Sequence, residues 1–96
     1  MRPSKAGRQR REIHFSGRVQ GVGFRYTTRQ VAARFAVAGY VKNLVDGRVQ
    51  MVIEGEACIL DAFVAAVEAE LDRHIENRQA EVRPATGEFS SFQVRH

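Results

Sequence analysis

Tryptophan is absent from the chain, cysteine occurs once and proline twice. The lone Cys58 closes no disulfide within the chain and has no ligand cluster beside it for a zinc site. Stability must therefore come from an apolar core, and the expected compartment is a reducing cytoplasm. No apolar run approaches the roughly 20 residues that a membrane helix needs. No apolar stretch follows the basic start either, which argues against a secretory signal. Acids are missing from the start of the chain. Residues 1–11 carry Arg2, Lys5, Arg8, Arg10 and Arg11 with no acid, whereas residues 12–96 hold ten bases and all eleven acids. The formal charge of +4 thus belongs to the start of the chain. A nucleic-acid-coating domain would hold its charge on a folded face, so no specific nucleic-acid partner is expected. Residues 1–11, with Pro3, Ser4 and Gly7, read as a basic disordered tail: a solvated extension, an unspecific polyanion contact or a start-site artefact, with the first and third favoured.

What remains, residues 12–96, is enough for one domain with one modest core, given 44% apolar content over 96 residues. From Glu12 the pattern has period two: Ile13 and Phe15 on one face, His14 and Ser16 on the other, as in a half-buried strand. His14 has no metal partner nearby and reads as a sheet-surface residue. Phe24, Thr28, Val31, Ala32 and Phe35 then recur at helical spacing, which predicts three to four turns ending before Gly39. Tyr40 to Glu54 reads as a hairpin, with Val41 and Val45 on one side, a type I′ turn at Asp46-Gly47, and Val49, Met51 and Ile53 resuming the alternation. Ile59, Leu60, Phe63, Val64, Val67 and Leu71 mark a second amphipathic helix. Residues 72–78 show no clean period, a weak strand is expected near Ala80–Val82, and Phe89, Phe92 and Val94 close the chain in a last strand.

Strand, helix, strand, strand, helix, strand is the order that results, with an extra piece near the end. Two helices with one apolar stripe each must share one face of an antiparallel sheet. The expected fold is therefore an α+β ferredoxin-like two-layer sandwich, βαββαβ.

Between the first strand and the first helix lies Gly-Arg-Val-Gln-Gly-Val-Gly-Phe-Arg, residues 17–25. Three glycines there allow either a sharp connection or a ribbon of open amide N–H groups suited to an anion. Arg25 follows at the mouth of the helix, where the dipole and the free N–H groups already favour negative charge, and a guanidinium grips two oxygens of one phosphate. A Walker loop would need Gly-Lys-Ser or Gly-Lys-Thr, and Val22 stands in that place. Further on, Asn43 is the odd member of a β-rich run, placed there either for a task or for its nearness to the turn.

Taken together, residues 17–25, Gly-Tyr-Val-Lys-Asn at 39–43, Asp-Gly at 46–47 and Glu-Gly at 54–55 closely resemble the acylphosphatase family, over residues 12–96. The resemblance implies a cytoplasmic hydrolase, monomeric and without metal or organic cofactor. It would cleave the carboxyl–phosphate bond of small acyl phosphates. It further implies that the backbone of Gly17, Arg18, Val19, Gln20, Gly21, Val22 and Gly23 cradles the phosphate, that Arg25 holds it, and that Asn43 positions the attacking water. Departures from the family pattern are Ala36 for a glycine after the first helix, Tyr40 for tryptophan, and the loss of Gly-Pro after the second helix. Arg78 also interrupts the next strand. These imply an unusual 71–80 connection.

The implied chemistry agrees with the residues. A carboxylate leaves without being protonated, so no general acid is required. The task is to place water in line with a phosphorus ringed by negative oxygens, which cationic and N–H donors address. A neutral amide at Asn43 orients water without repelling the dianion. Two other readings compete with this one: a non-enzymatic anion- or RNA-binding module on the same sandwich, and a domain of a larger carbamoyl-phosphate-processing protein.

Overall fold

A computed structural model describes residues 7–96. Five strands and two helices follow in order: β1 (Arg8–Gly17), α1 (Phe24–Ala32), β2 (Ala38–Asn43), β3 (Val49–Glu56), α2 (Ala57–Leu71), β4 (Ile75–Pro84) and β5 (Phe92–Arg95), with a 3-10 turn at Asp72–His74 before β4. The sheet order is β4-β1-β3-β2-β5. Four strands pair antiparallel, as the expected sandwich requires, and β5 adds itself parallel to β2. The sheet is therefore mixed, and the extra piece near the end is a fifth strand.

The alternation in the sequence decides which face is covered. Ile13 and Phe15 of β1, Val41 of β2 and Val49, Met51 and Ile53 of β3 point to the same side and are buried. There they meet Phe24, Val31 and Ala32 of α1 and Leu60, Phe63, Val64, Val67 and Leu71 of α2. Removing these side chains from water supplies the main stabilisation, at about 1.5–3 kcal/mol for each large residue.

Several boundaries differ from the sequence-based expectation. β1 starts at Arg8 and not at Glu12, so Arg8–Arg11 belong to the sheet. Arg11 forms an ion pair with Asp61 of α2, and Arg10 with Glu12, Glu54 and Glu88. These bases are thus drawn into the fold by acids distant in sequence. The rest of the expected tail, residues 1–6, lies outside the described residues. α1 stops at Ala32 and does not reach Phe35. Its end tightens into bonds from Arg34 N–H to Val31 C=O (3.0 Å) and from Phe35 N–H to Ala32 C=O (3.1 Å), so no left-handed residue is needed where Ala36 stands.

The hairpin turn is not type I′. Asp46 has a negative φ, Gly47 alone is left-handed at 96°, and Gly47 N–H bonds Leu44 C=O at 3.1 Å. This is the three-residue loop closed by a glycine. It leaves Val45, expected beside Val41, fully exposed at the tip.

The poorly patterned 72–78 stretch is the 3-10 turn followed by the start of a ten-residue edge strand, β4, paired with β1 from Gln9 to Gly17. Its side chains from Glu76 on are exposed and charged or polar for the most part, which discourages pairing with another chain. Arg78, the residue that breaks the pattern, pairs with Glu68 of α2.

Because β4 and β5 lie at opposite edges, residues 85–91 must cross the open face of the sheet. Glu54, on the central strand β3 and only 2% exposed, pins this crossing segment. Its carboxylate accepts from Thr86 N–H (2.9 Å), Thr86 Oγ1 (2.8 Å), Gly87 N–H (2.8 Å) and Arg10 Nη1 (3.3 Å). Burial by itself pushes the Glu54 carboxyl up, but these donors outweigh it and hold it below the ordinary carboxylate range. With the folded pKa lowered, the stabilisation is intact above about pH 5 and is lost as pH falls through the folded value. Glu54→Gln is expected to cost about 2 kcal/mol at pH 7, by setting an amide among donors. It should also flatten the fall in thermal midpoint between pH 5 and 3; a fall as steep as the parent's would assign acid sensitivity elsewhere.

Candidate active site

Phe15 at the end of β1 packs on Phe24 at the start of α1, with ring centroids 5.1 Å apart. The eight residues between are therefore held at both ends, and Val19 in the middle is completely buried. Gln20 fixes the loop sideways: its Nε2 donates to Leu44 C=O (2.7 Å) and to Arg48 C=O (3.0 Å) of the hairpin loop. This side-chain bridge sets the glycine segment beside Asn43, the last residue of β2. Nothing in the local pattern around Gln20 announces it.

Gly23 is the N-cap of α1 and is left-handed, with φ 77°. A side chain there would be strained, and the cap has no side-chain hydrogen bond, so the first N–H groups of the helix stay uncovered. No acid stands in the first turn to claim them. Thr27 N–H makes the first helical bond, to Gly23 C=O at 2.9 Å. The N–H groups of Phe24, Arg25 and Tyr26 have no preceding turn to bond and are open to an anion.

A cavity of about 380 Å³ opens at this corner, lined by Val19, Gly21, Gly23, Phe24, Arg25, Tyr26, Arg29, Asn43, Val94 and His96. Of the residues singled out from the sequence, Val19, Gly21, Gly23, Arg25 and Asn43 line it together. Gly17, Arg18, Gln20 and Val22 do not. Gly17 still belongs to β1, opposite Ile75, and Arg18 N–H donates to His74 C=O at 2.9 Å. The beginning of the expected cradle is therefore committed to the β4 side, and the ribbon facing the cavity starts at Val19.

Arg25 is half-buried, and its Nη1 donates to Arg95 C=O (2.9 Å) and meets His96 Nδ1 (3.2 Å). Arg95 is itself held by its guanidinium, 3.9 Å above the Tyr40 ring. Sequence reasoning missed Tyr26, Arg29, Val94 and His96. Arg29, one helical turn after Arg25, and Tyr26, its sequence neighbour, were readable from the helix, whereas Val94 of β5 and His96 just after it lie about seventy residues away. Among the described residues no group of three or more His, Cys, Asp or Glu side chains comes together, and no helix is long and apolar enough to cross a membrane.

The family model described as acylphosphatase matches residues 11–94. The chain belongs to the acylphosphatase family. It is 46% identical to the acylphosphatase of Archaeoglobus fulgidus over 87 residues, covering 86% of this chain and 93% of that one. Against the acylphosphatase of Rubrobacter xylanophilus the identity is 44% over 88 residues, covering 91% and 80%. The crystal structure of acylphosphatase from Bacillus subtilis superposes with a TM-score of 0.81 at 31% identity, covering 92% of this chain and 99% of that one. The chain is thus a hydrolase of acyl phosphates on a ferredoxin-like sandwich.

The RNA-binding alternative is not favoured. It needs open rings on the sheet face, and Tyr40 is covered by Phe89, with centroids 5.8 Å apart, and by Arg95.

Proposed function

We propose that this acylphosphatase binds the phosphate of a small acyl phosphate on the amides of the Val19–Gly23 ribbon and the first turn of α1, with Arg25 as the cation that completes the site. Asn43 orients the attacking water. The observation that carries the reading is the convergence of Gly21, Gly23, Arg25 and Asn43 on one cavity with no acidic side chain in its lining. Water forms the new oxygen–phosphorus bond, the bond to the acyl oxygen breaks, and the carboxylate departs with the electron pair. The proton lost by water goes to solvent. Charge gathers on the equatorial oxygens, where N–H donors and the guanidinium meet it. Arg95 C=O and His96 occupy one edge of the Arg25 guanidinium and so fix its rotation, leaving its other N–H groups to grip phosphate.

In this reading the enzyme acts as a cytoplasmic monomer without a specific nucleic-acid partner. The exposed Cys58 suits a reducing compartment. The reading also takes the reaction to need no metal, and it is tested by phosphate release from acetyl phosphate in the presence of a chelator. Asn43→Ala is expected to lower kcat about 10²-fold with a smaller change in KM, since water orientation matters only in the transition state. A rate near that of the parent would remove Asn43 from the mechanism, and phosphate release abolished by the chelator would overturn the metal-free reading.

A further inference from the structure

The cavity is larger than a phosphate alone requires. Beyond the ribbon and Arg25 it is bounded by a second patch on α1, formed by Tyr26 and Arg29. Arg29 follows Arg25 by four residues, so the two lie on one helix face about 6 Å apart along the axis. Tyr26 and Arg29 are likewise neighbours, at i and i+3.

The two guanidinium groups lining the cavity differ in what they already hold. Arg25 is engaged by Arg95 and His96. Arg29, which is exposed, makes no side-chain hydrogen bond or ion pair with the described residues, unlike Arg10, Arg11, Arg48, Arg78 and Arg83, which are matched with acids. The Tyr26 hydroxyl accepts from Gln30 Nε2 at 3.1 Å, which leaves its own proton to be donated outward. The patch therefore offers donors and positive charge, and no acidic side chain in the cavity lining answers them.

We infer that Arg29 and the Tyr26 hydroxyl form a second subsite that reads the acyl half of the substrate, and that it selects acyl phosphates carrying a further anionic group, such as a terminal carboxylate, on the acyl chain. This rests on the phosphate-site reading above. With phosphate on the ribbon and Arg25, an acyl chain of a few carbons spans the single helical turn that brings its far end to Arg29. An uncharged acyl chain would leave the guanidinium and the hydroxyl hydrated and gain nothing from them. Because the subsite is open to solvent, its contribution is modest and screened by salt.

The test compares kcat/KM for succinyl phosphate with that for butyryl phosphate, which matches it in carbon count and lacks the second charge. In the parent enzyme the succinyl-to-butyryl ratio is expected to be about five, falling toward one as salt rises to 1 M. Arg29→Gln should lower the ratio about three- to fivefold, toward one, chiefly through KM for succinyl phosphate. Arg29→Lys should keep most of it, and Arg29→Glu should bring it below one. A ratio that is the same in the parent and in all three variants overturns the subsite, whether or not the absolute rates change. Failure of the parent to release phosphate from either substrate overturns the hydrolase reading itself and the subsite with it; hydrolysis with an invariant ratio overturns the subsite alone. Far-ultraviolet circular dichroism on each variant separates loss of fold from loss of selection.

Discussion

Arg25→Gln is expected to release phosphate from acetyl phosphate about 10³-fold more slowly than the parent enzyme while remaining folded at 25 °C. In the proposed reading the loss belongs at the upper end of what one preorganised donor contributes, because the group removed is a cation meant to face an oxyanion in a cavity lined by no acidic side chain. The fold survives because the guanidinium is only half-buried, and within the protein it bonds a single carbonyl and one ring nitrogen of the last strand. Losing them should cost about 1 kcal/mol, or a fall of about 4–8 °C in Tm for a domain of this size. Arg25→Lys keeps the charge without the fork and should recover only part of the rate. Steady-state kinetics with thermal unfolding on the same samples decides the matter. If Arg25→Gln hydrolyses acetyl phosphate within tenfold of the parent, the phosphate is held elsewhere.

Gly39→Ala, by contrast, should cost about 4 kcal/mol or more, a large part of the 5–15 kcal/mol that a domain of this kind possesses. Gly39 sits in β2 with φ 144°, and a Cβ built there would lie 1.9 Å from Val52 C=O and 2.9 Å from Ile53 Cα. Both obstacles are backbone of the central strand β3, which cannot swing aside as a side-chain tip would. Gly39 N–H also bonds Ser91 C=O at 2.9 Å, tying β2 to the chain that enters β5. Displacement here would move Asn43 at one end of β2 and Arg95 beside it. Urea unfolding should show a much lower midpoint or no folded baseline. A midpoint equal to the parent's would mean that the two strands separate there without penalty.

The two predictions concern different kinds of information in the sequence. Arg25 stands in a local signal, glycines followed by a helix start, and its placement needs only the chain on either side. Gly39 was visible as a helix stop, but its close approach to β3 depends on pairing with residues thirteen and fourteen positions later. The same division runs through the fold. Alternation at Ile13/Phe15 and at Val49/Met51/Ile53, and helical spacing at Leu60/Phe63/Val64/Val67, were legible because each strand or helix buries one side only. β4 was read as weak because an edge strand whose side chains face solvent carries no apolar period to detect. β1 was begun too late because the bases Arg8–Arg11 look like a tail until Glu12, Glu54, Asp61 and Glu88 are seen to surround two of them. The turn at Asp46-Gly47 was placed correctly and typed wrongly, because the loop length that selects the turn depends on the register of the whole hairpin.

Within the candidate site, the glycine ribbon, Arg25 and Asn43 stood out by residue type and were given roles by the family resemblance. Their grouping in one cavity could not. It depends on the Gln20 side chain reaching the hairpin loop and on β5 crossing to the far edge of the sheet to bring Arg95 and His96 against Arg25.

By itself, the sequence determined the sandwich, the polarity of its faces and the glycine-rich turn of residues 17–25 that leads into a helix at Arg25, since these follow from periodicity and from glycine chemistry over short spans. Only the tertiary structure decided that Gly17 and Arg18 serve the sheet and not the cavity, and that Glu54 holds the crossing segment. It alone brought Tyr26 and Arg29 into one cavity with Asn43 and His96. The physical reason is range: a backbone turn or an amphipathic stripe is set within a few residues, whereas a hydrogen bond between strands, or a cavity closed by the last strand, exists only once segments as many as seventy positions apart have met.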